Sequence, residues 1–159
     1  MEIQLLSATE AAPAPRVRRA RAEDWPALVA LWRRSCEATH DFLTPGDLDS
    51  IGEEVRRLLP EVEELWLAEA RGQPVGFLGG AGSHVDMLFV APEWFRRGVG
   101  TRLLAHARRL HGPLTLEVNE DNPAGLAFYR AQGFVVTGRS PVDSEGRPWP
   151  LLHLRQKDR

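Results

Sequence analysis

Apolar residues recur along the chain in two patterns. Short apolar or alternating runs predict strands over residues 16–21, 65–69, 74–79, 85–90, 114–118, 134–138 and 151–155. Apolar positions three and four residues apart predict helices that begin near Trp25, at Pro45, after Gly98 and after Asn122. The predicted order is strand, two helices, three strands, helix, strand, helix and two strands, which is typical of an α+β domain.

The helix predicted after Gly98 has a clear amphipathic pattern. We expect its apolar stripe to be buried and its polar stripe to face solvent. The apolar stripe is Val99, Leu103, Leu104, Ala107 and Leu110, and the polar stripe is Arg102, His106 and Arg109. His106 and His111 are five residues apart, so they do not share a helix face as a pair of metal ligands would, and no metal site is expected.

Length and composition indicate a globular protein of one domain. The chain has 159 residues, of which 43% are hydrophobic, and we assign residues 16–159 to the domain and residues 1–15 to a loose N-terminal tail. A net charge of −2 provides no general attraction to nucleic acid. Cys36 is the only cysteine, and the sequence contains no membrane-spanning apolar run and no secretion signal. We therefore expect a cytoplasmic protein without a membrane partner.

A glycine-bearing turn lies between an apolar strand and the amphipathic helix. Because Gly98 and Gly100 lack a Cβ atom, backbone N–H groups can approach a pyrophosphate at the positive end of the helix. Arg96 and Arg97 add positive charge nearby. The turn is not a Walker loop, since no Lys-Ser/Thr pair follows its last glycine, and Leu103 replaces the third glycine of a dinucleotide fingerprint. Taken alone, the turn is equally consistent with an ordinary helix start.

A second motif occupies residues 116–134. It predicts a strand, a short loop and a helix, with Asn122 as the N-cap, Pro123 at the first helical position and a glycine after the last turn. Gly125 lies three residues after Asn122, and Tyr129 lies seven residues after it. The order of the two motifs along the chain and the spacing of residues inside the second motif are more specific than either motif alone, and together they can be compared with known protein families.

The two motifs together resemble those of the GNAT superfamily of acyl-CoA-dependent N-acetyltransferases. Residues 38–43 and 136–152 are similar to its bacterial YjaB-like branch, and the resemblance covers roughly residues 16–155. It implies the GNAT fold, in which helices flank a mixed, mostly antiparallel central sheet. It also implies acetyl-CoA as co-substrate and direct transfer to an amine in a ternary complex.

The resemblance places the cofactor beside the glycine turn, where backbone amides and a bulge in the preceding strand would contact the pyrophosphate and the pantetheine arm. The implied cofactor-binding residues are Leu88, Phe89, Val90, Arg96, Arg97, Gly98, Val99, Gly100, Thr101, Asn122 and Phe128. The family usually has Gln or Arg three residues before the first glycine. Phe95 stands at that position here, so the backbone contacts are expected without that side-chain contact.

Acetyl transfer to an amine needs a proton or hydrogen bond for the leaving thiolate and a base for the amine. Tyr129 occupies the position of the general acid in the family. Two candidates for the base stay open. Glu117 lies on the strand predicted over 114–118, and His84 shares one face of the strand before the glycine turn with Asp86. Each candidate could instead be a solvated strand residue, and Tyr129 could instead pack beneath the sheet.

The predicted acceptor is a primary amine on a small molecule or a peptide. His40, Asp41 and Phe42 lie where the family builds its acceptor pocket. A protein N-terminus or lysine as acceptor and a non-catalytic acyl-CoA-binding sensor remain alternatives, and the sensor would not need Tyr129. Action on aminoacyl-tRNA is disfavoured because the net charge is not basic. The sequence is also compatible with a homodimer.

Overall fold

The computed structural model describes residues 14–158, and its helices and strands follow the predicted order. The elements are β1 (Arg16–Arg19), α1 (Trp25–Thr39), α2 (Pro45–Leu58), β2 (Glu64–Ala70), β3 (Gln73–Ala81), β4 (His84–Val90), α3 (Val99–His111), β5 (Thr115–Asn119), α4 (Pro123–Ala131), β6 (Phe134–Ser140) and β7 (Leu151–Gln156). β1 is shorter than predicted because a turn starts at Arg21, whose carbonyl accepts from the Asp24 N–H at 2.8 Å. The predicted tail falls mainly on residues 1–13, which lie outside the described residues.

One seven-stranded sheet has the order β1-β2-β3-β4-β5-β7-β6. Neighbouring strands are antiparallel except for β4 and β5, which are parallel. The β4–β5 pairing consists of His84 with Thr115 and Val85 with Leu116, and the later residues of the two strands are not paired with each other. The α+β architecture with a mixed, mostly antiparallel sheet is therefore confirmed, and the sheet is open at its parallel junction.

Each face of the sheet is covered by helices. α1 and α2 bury Leu28, Leu31 and Trp32, among others, on one face against sheet residues such as Phe77. α3 covers the opposite face, where Leu103 belongs to a second buried cluster, and α4 packs along β6. None of the described helices is both long enough and apolar enough to cross a membrane.

Side-chain caps fix where two of the helices begin. The Thr44 hydroxyl accepts from the Asp47 N–H at 3.0 Å, and the Asp47 carboxylate accepts from the Thr44 N–H at 2.9 Å, so α2 begins with a capping box. The Asn122 Oδ1 accepts from the Gly125 N–H at 3.0 Å at the start of α4. The predicted cap of the second motif is confirmed, and Pro123 follows it at the first helical position.

An ion-pair network joins β1 and β2 to the turn before α1. The Arg18 guanidinium donates to both Asp24 carboxylate oxygens at 2.9 and 3.0 Å and to Glu69 at 2.7 Å. The same Asp24 carboxylate accepts from the Arg21 N–H at 2.8 Å. The hydrogen bonds from Arg18 lower the pKa of Asp24, which is buried.

The stripes predicted on α3 are correct except at two positions. Leu110 is 51% exposed, because it lies in the last turn and no neighbouring element covers it. His106 is only partly exposed: its ring packs edge-on against Trp66 at 4.2 Å, and its Nε2 is buried without a hydrogen-bond partner among the described residues. His111 instead bonds Glu64 at 2.8 Å, and the described residues contain no cluster of metal ligands.

Candidate active site

A cavity of about 1260 Å³ opens where β4 and β5 stop pairing. It is lined by both strands, the glycine turn, α4, the end of α1 with the residues after it, and the loop between β6 and β7. The predicted site residues that line it are Glu117, Tyr129, Leu88, Phe89, Val90, Arg96, Gly98, Val99, Gly100, Thr101, Asn122 and Phe128. Two predicted site residues, His84 and Arg97, do not line it. The cavity runs from the side of α3 and α4 to the side of α1 and α2.

The bulge expected in β4 is present. Val85 pairs with Gly80 and Met87 pairs with Gly79, so Asp86 is the extra residue. A Cβ atom on Gly80 would lie 2.2 Å from the His84 carbonyl oxygen, so only glycine allows the strands to approach this closely.

The bulge precedes a stretch of β4 whose amides alternate in direction. The Ala91 N–H donates to the Val75 carbonyl on β3 at 2.9 Å. Because successive residues of a strand point their backbone groups to opposite sides, the N–H groups of Val90 and Leu88 point away from β3 and towards the cavity. They can donate to a carbonyl oxygen or an oxyanion placed there.

The glycine turn presents the open end of α3 to the cavity. Gly98 has φ 85° and caps α3, and a Cβ atom at this position would have nothing within 4 Å. Glycine is therefore required by the left-handed backbone and not by crowding. The first N–H groups of α3 have no acceptor within the helix, and no side chain caps them. This arrangement can bind an anion.

Packing accounts for the second glycine of the turn. A Cβ atom on Gly100 would lie 2.9 Å from Cζ of Phe128, so the absence of a side chain allows α4 to approach α3 closely. Gln132, the residue directly after α4, donates to the Thr101 hydroxyl at 3.0 Å and fixes the same contact. Arg97 lies over the Trp94 ring at 3.9 Å and does not line the cavity.

Phe95 is half-buried and lines the cavity. The side chain that departs from the family pattern thus contributes an aromatic surface to the cavity wall, beside Arg96, whose φ of 62° is also left-handed.

Tyr129 reaches the cavity from α4. Its ring packs between Phe128 at 5.2 Å and Phe134 at 5.5 Å, both edge-on, and its hydroxyl makes no hydrogen bond to the described residues. Burial raises the pKa of Tyr129 above its ordinary value, so the phenol stays protonated at neutral pH. A protonated hydroxyl with no protein partner is available to donate to a ligand.

Both base candidates belong to one cluster. Glu117 Oε1 lies 3.3 Å from His84 Nε2, and the same imidazole nitrogen lies 3.7 Å from Asp86. Burial is the main reason that the pKa of Asp86 is raised. The other carboxylate oxygen of Glu117 lies 3.3 Å from Nδ1 of His153. His153 was not among the predicted residues, since only the β5–β7 register places it opposite Glu117.

The far end of the cavity combines aromatic and acidic side chains. Phe42 contacts His40 at 5.5 Å and Trp149 at 6.2 Å. Arg147 is hydrogen-bonded to Glu54 of α2, which fixes the loop between β6 and β7 over α2. Sequence reasoning expected His40 and Phe42 at the acceptor pocket and the loop over residues 140–150 beside Phe42, and Trp149 of that loop meets Phe42 here.

Carboxylates outnumber cationic side chains in the cavity lining. The acidic members are Glu54, Asp86, Glu117, Asp143 and Glu145, and the arginines are Arg96 and Arg147. Arg147 is already paired with Glu54 and, at 3.4 Å, with Asp143. The end of the cavity away from the glycine turn can therefore attract a cation.

Comparison with known proteins agrees with this geometry. Residues 61–136 match the family model described as an acetyltransferase (GNAT) domain. The chain is 47% identical over 139 residues to the peptidyl-lysine N-acetyltransferase YjaB of Escherichia coli, covering 87% of this chain and 94% of that protein. YjaB of Salmonella typhimurium is 45% identical over 139 residues, covering 87% and 95%. The solution structure of apo-form YjaB from Escherichia coli superimposes with a TM-score of 0.84 at 45% identity, covering 90% of this chain and 97% of that one.

The chain therefore belongs to the GNAT family of N-acetyltransferases. Within that family it is similar to YjaB over most of its length. The family, the fold and the enzyme class predicted from the two motifs are confirmed.

Proposed function

We propose that this enzyme transfers the acetyl group of acetyl-CoA to the side-chain amine of a lysine in a peptide or protein. The observation that carries the proposal is one continuous cavity with the glycine turn and Tyr129 at one end and an acidic, aromatic lining at the other. The relatives named peptidyl-lysine N-acetyltransferases support the same acceptor.

The cavity fits the cofactor that the family uses. Its volume of about 1260 Å³ is ample for a large ligand, and the uncapped N–H groups of α3 after Gly98 suit a pyrophosphate. Leu88 and Val90 offer amides for the pantetheine arm and the acetyl carbonyl. Bound acetyl-CoA would supply the activated thioester.

Each step of the reaction is assigned to particular residues of the chain. Tyr129 donates a hydrogen bond or proton to the sulfur that leaves, and the amides of Leu88 and Val90 stabilise negative charge on the carbonyl oxygen. Glu117 accepts the amine proton through a water molecule. We prefer Glu117 to His84 as the base because Glu117 lines the cavity and His84 does not.

A lysine side chain suits the far end of the cavity. An alkyl amine with a pKa near 10.4 is about 99.9% protonated at neutral pH, so it arrives as a cation and must lose a proton before attack. Carboxylates such as Asp86 and Glu145 attract the cation. Phe42 and Trp149 provide aromatic faces for the aliphatic stem of the lysine.

The test is a set of matched peptides with thiol release as the readout. The first has a blocked N-terminus and one lysine, the second has arginine in place of that lysine, and the third has a free N-terminus and no lysine. We expect release of CoA only with the first, and mass spectrometry should find the acetyl group on the lysine. Transfer to the third peptide alone, or only to small amines, would contradict the proposed acceptor. Binding of acetyl-CoA without transfer to any amine would favour a sensor.

A further inference from the structure

The row of side chains through Glu117 is longer than a simple ion pair. His84 Nδ1, the nitrogen away from Glu117, lies 2.7 Å from the Thr115 hydroxyl on β5. His153 Nε2, which also points away from Glu117, lies 2.7 Å from the Ser140 hydroxyl on β6. Four adjacent strands therefore contribute one row of side chains with the carboxylate at its centre, in which Glu117 is hydrogen-bonded to His153 and lies at ion-pair distance, 3.3 Å, from His84.

The chemistry of the row fixes the position of each proton. An ionised carboxylate only accepts hydrogen bonds, so the imidazole nitrogens that face Glu117 must both carry hydrogen. His84 is then protonated on Nε2 and His153 on Nδ1, and the hydroxyls of Thr115 and Ser140 donate to the remaining nitrogens. The two histidines are opposite tautomers held by the same carboxylate.

We propose that His84 and His153 are positioning residues that hold Glu117 in the orientation in which it acts as the base. The inference rests on the proposed role of Glu117 in lysine acetylation. An imidazole 3.3 Å away on each side restricts the carboxylate to one orientation, with its oxygens held towards the two rings. In each turnover one proton passes from the amine through water to Glu117 and then to solvent water.

Two substitutions at position 153 separate a role in hydrogen bonding from a role in packing. Asparagine keeps an N–H donor towards Glu117 but cannot become a cation, and leucine removes the donor. At pH 8.5 we expect His153→Asn to keep kcat/KM within about threefold of the wild type and His153→Leu to lose about tenfold or more. A role in packing alone would not produce rescue by asparagine.

The double variant His84→Gln/His153→Asn tests both sides of the carboxylate at once, because glutamine can likewise donate. Its kcat/KM at pH 8.5 should stay above that of His153→Leu. His111→Asn is the matched control, since His111 pairs with Glu64 at 2.8 Å and does not line the cavity. Its kcat/KM should equal that of the wild type.

The tautomers provide a readout that does not depend on activity. In long-range ¹H–¹⁵N spectra at pH 8, His84 should carry its proton on Nε2 and His153 on Nδ1. The opposite tautomer at either residue, a double variant no more active than His153→Leu, or equal activity of the asparagine and leucine variants at position 153 would overturn the proposal. If the wild type acetylates only a small amine, the same variants assayed with that amine test the two histidines, so a failure of the proposed acceptor is distinguished from a failure of this proposal.

Discussion

Replacement of Tyr129 by phenylalanine removes one hydroxyl and little else. The ring still packs between Phe128 and Phe134, and the hydroxyl has no partner among the described residues. Loss of an unpaired hydroxyl that reaches the cavity should change the free energy of unfolding by less than about 1 kcal/mol. For a chain of this size, that corresponds to a Tm change within about 4 °C.

The effect on catalysis should be far larger. A hydrogen bond or proton that Tyr129 provides chiefly in the transition state is worth roughly 10²–10⁴ in rate, so kcat and kcat/KM should fall together by that factor while the Kd for acetyl-CoA stays nearly unchanged. Since burial raises the pKa of Tyr129, the wild type should show no loss of activity from ionisation of this phenol below about pH 10.

The assay pairs steady-state release of CoA with calorimetric binding of acetyl-CoA. Ser144→Ala is the matched control, because it removes another hydroxyl from the cavity lining, at the end away from the glycine turn. We expect that control to change kcat by less than about twofold, the effect of an ordinary surface substitution. Full turnover by Tyr129→Phe would refute the acid assignment, and a large loss of acetyl-CoA affinity would mean that the hydroxyl acts in binding.

Three further predictions concern the turn and the fold. Gly98→Val should lower the free energy of unfolding by about 1–2 kcal/mol, because valine is strained at the left-handed φ of this position. It should also abolish the thermal stabilisation by acetyl-CoA, which is about 2.7 kcal/mol at a hundred times Kd. Gly72→Val is the control: Gly72 has φ 77° at the β2–β3 turn, and this variant should keep the shift produced by acetyl-CoA. Phe95→Arg should change the free energy of CoA binding, measured by calorimetry, by no more than about 1.5–3 kcal/mol. Complete loss of binding would mean that the Phe95 ring is needed for the folded structure of the site. Asp24→Asn should cost about 2 kcal/mol in denaturant unfolding near pH 7. Because the pKa of Asp24 is lowered in the folded state, the difference in unfolding free energy between wild type and variant should persist at pH values above the ordinary pKa of a carboxylate and shrink as the pH falls below that pKa. A difference in unfolding free energy that stays constant down to about pH 3 would contradict this reasoning.

Local conformation is the part of the site that the sequence reveals best. Gly98 is required by its own φ, and Asn122 caps α4 through the N–H three residues along, so neighbouring residues alone predict both features. The family resemblance adds Tyr129, whose spacing from Asn122 is also local.

Contacts between distant segments account for what the sequence does not reveal. His153 meets Glu117 only because β7 pairs with β5, and no spacing along the chain encodes that register. Likewise, helical periodicity gives the direction of Leu110 and His106 but not what lies opposite each of them: open solvent for Leu110 and Trp66 for His106.

The position of β7 between β5 and β6 also has a consequence for synthesis of the protein on the ribosome. Both neighbours of β7 precede it in the chain, so each exposes an unpaired edge until residues 151–156 have emerged. Exposed edges can pair with other chains, which makes the nascent protein prone to aggregation at that stage. Because β7 also carries His153, the same late insertion completes both the sheet and the row around Glu117.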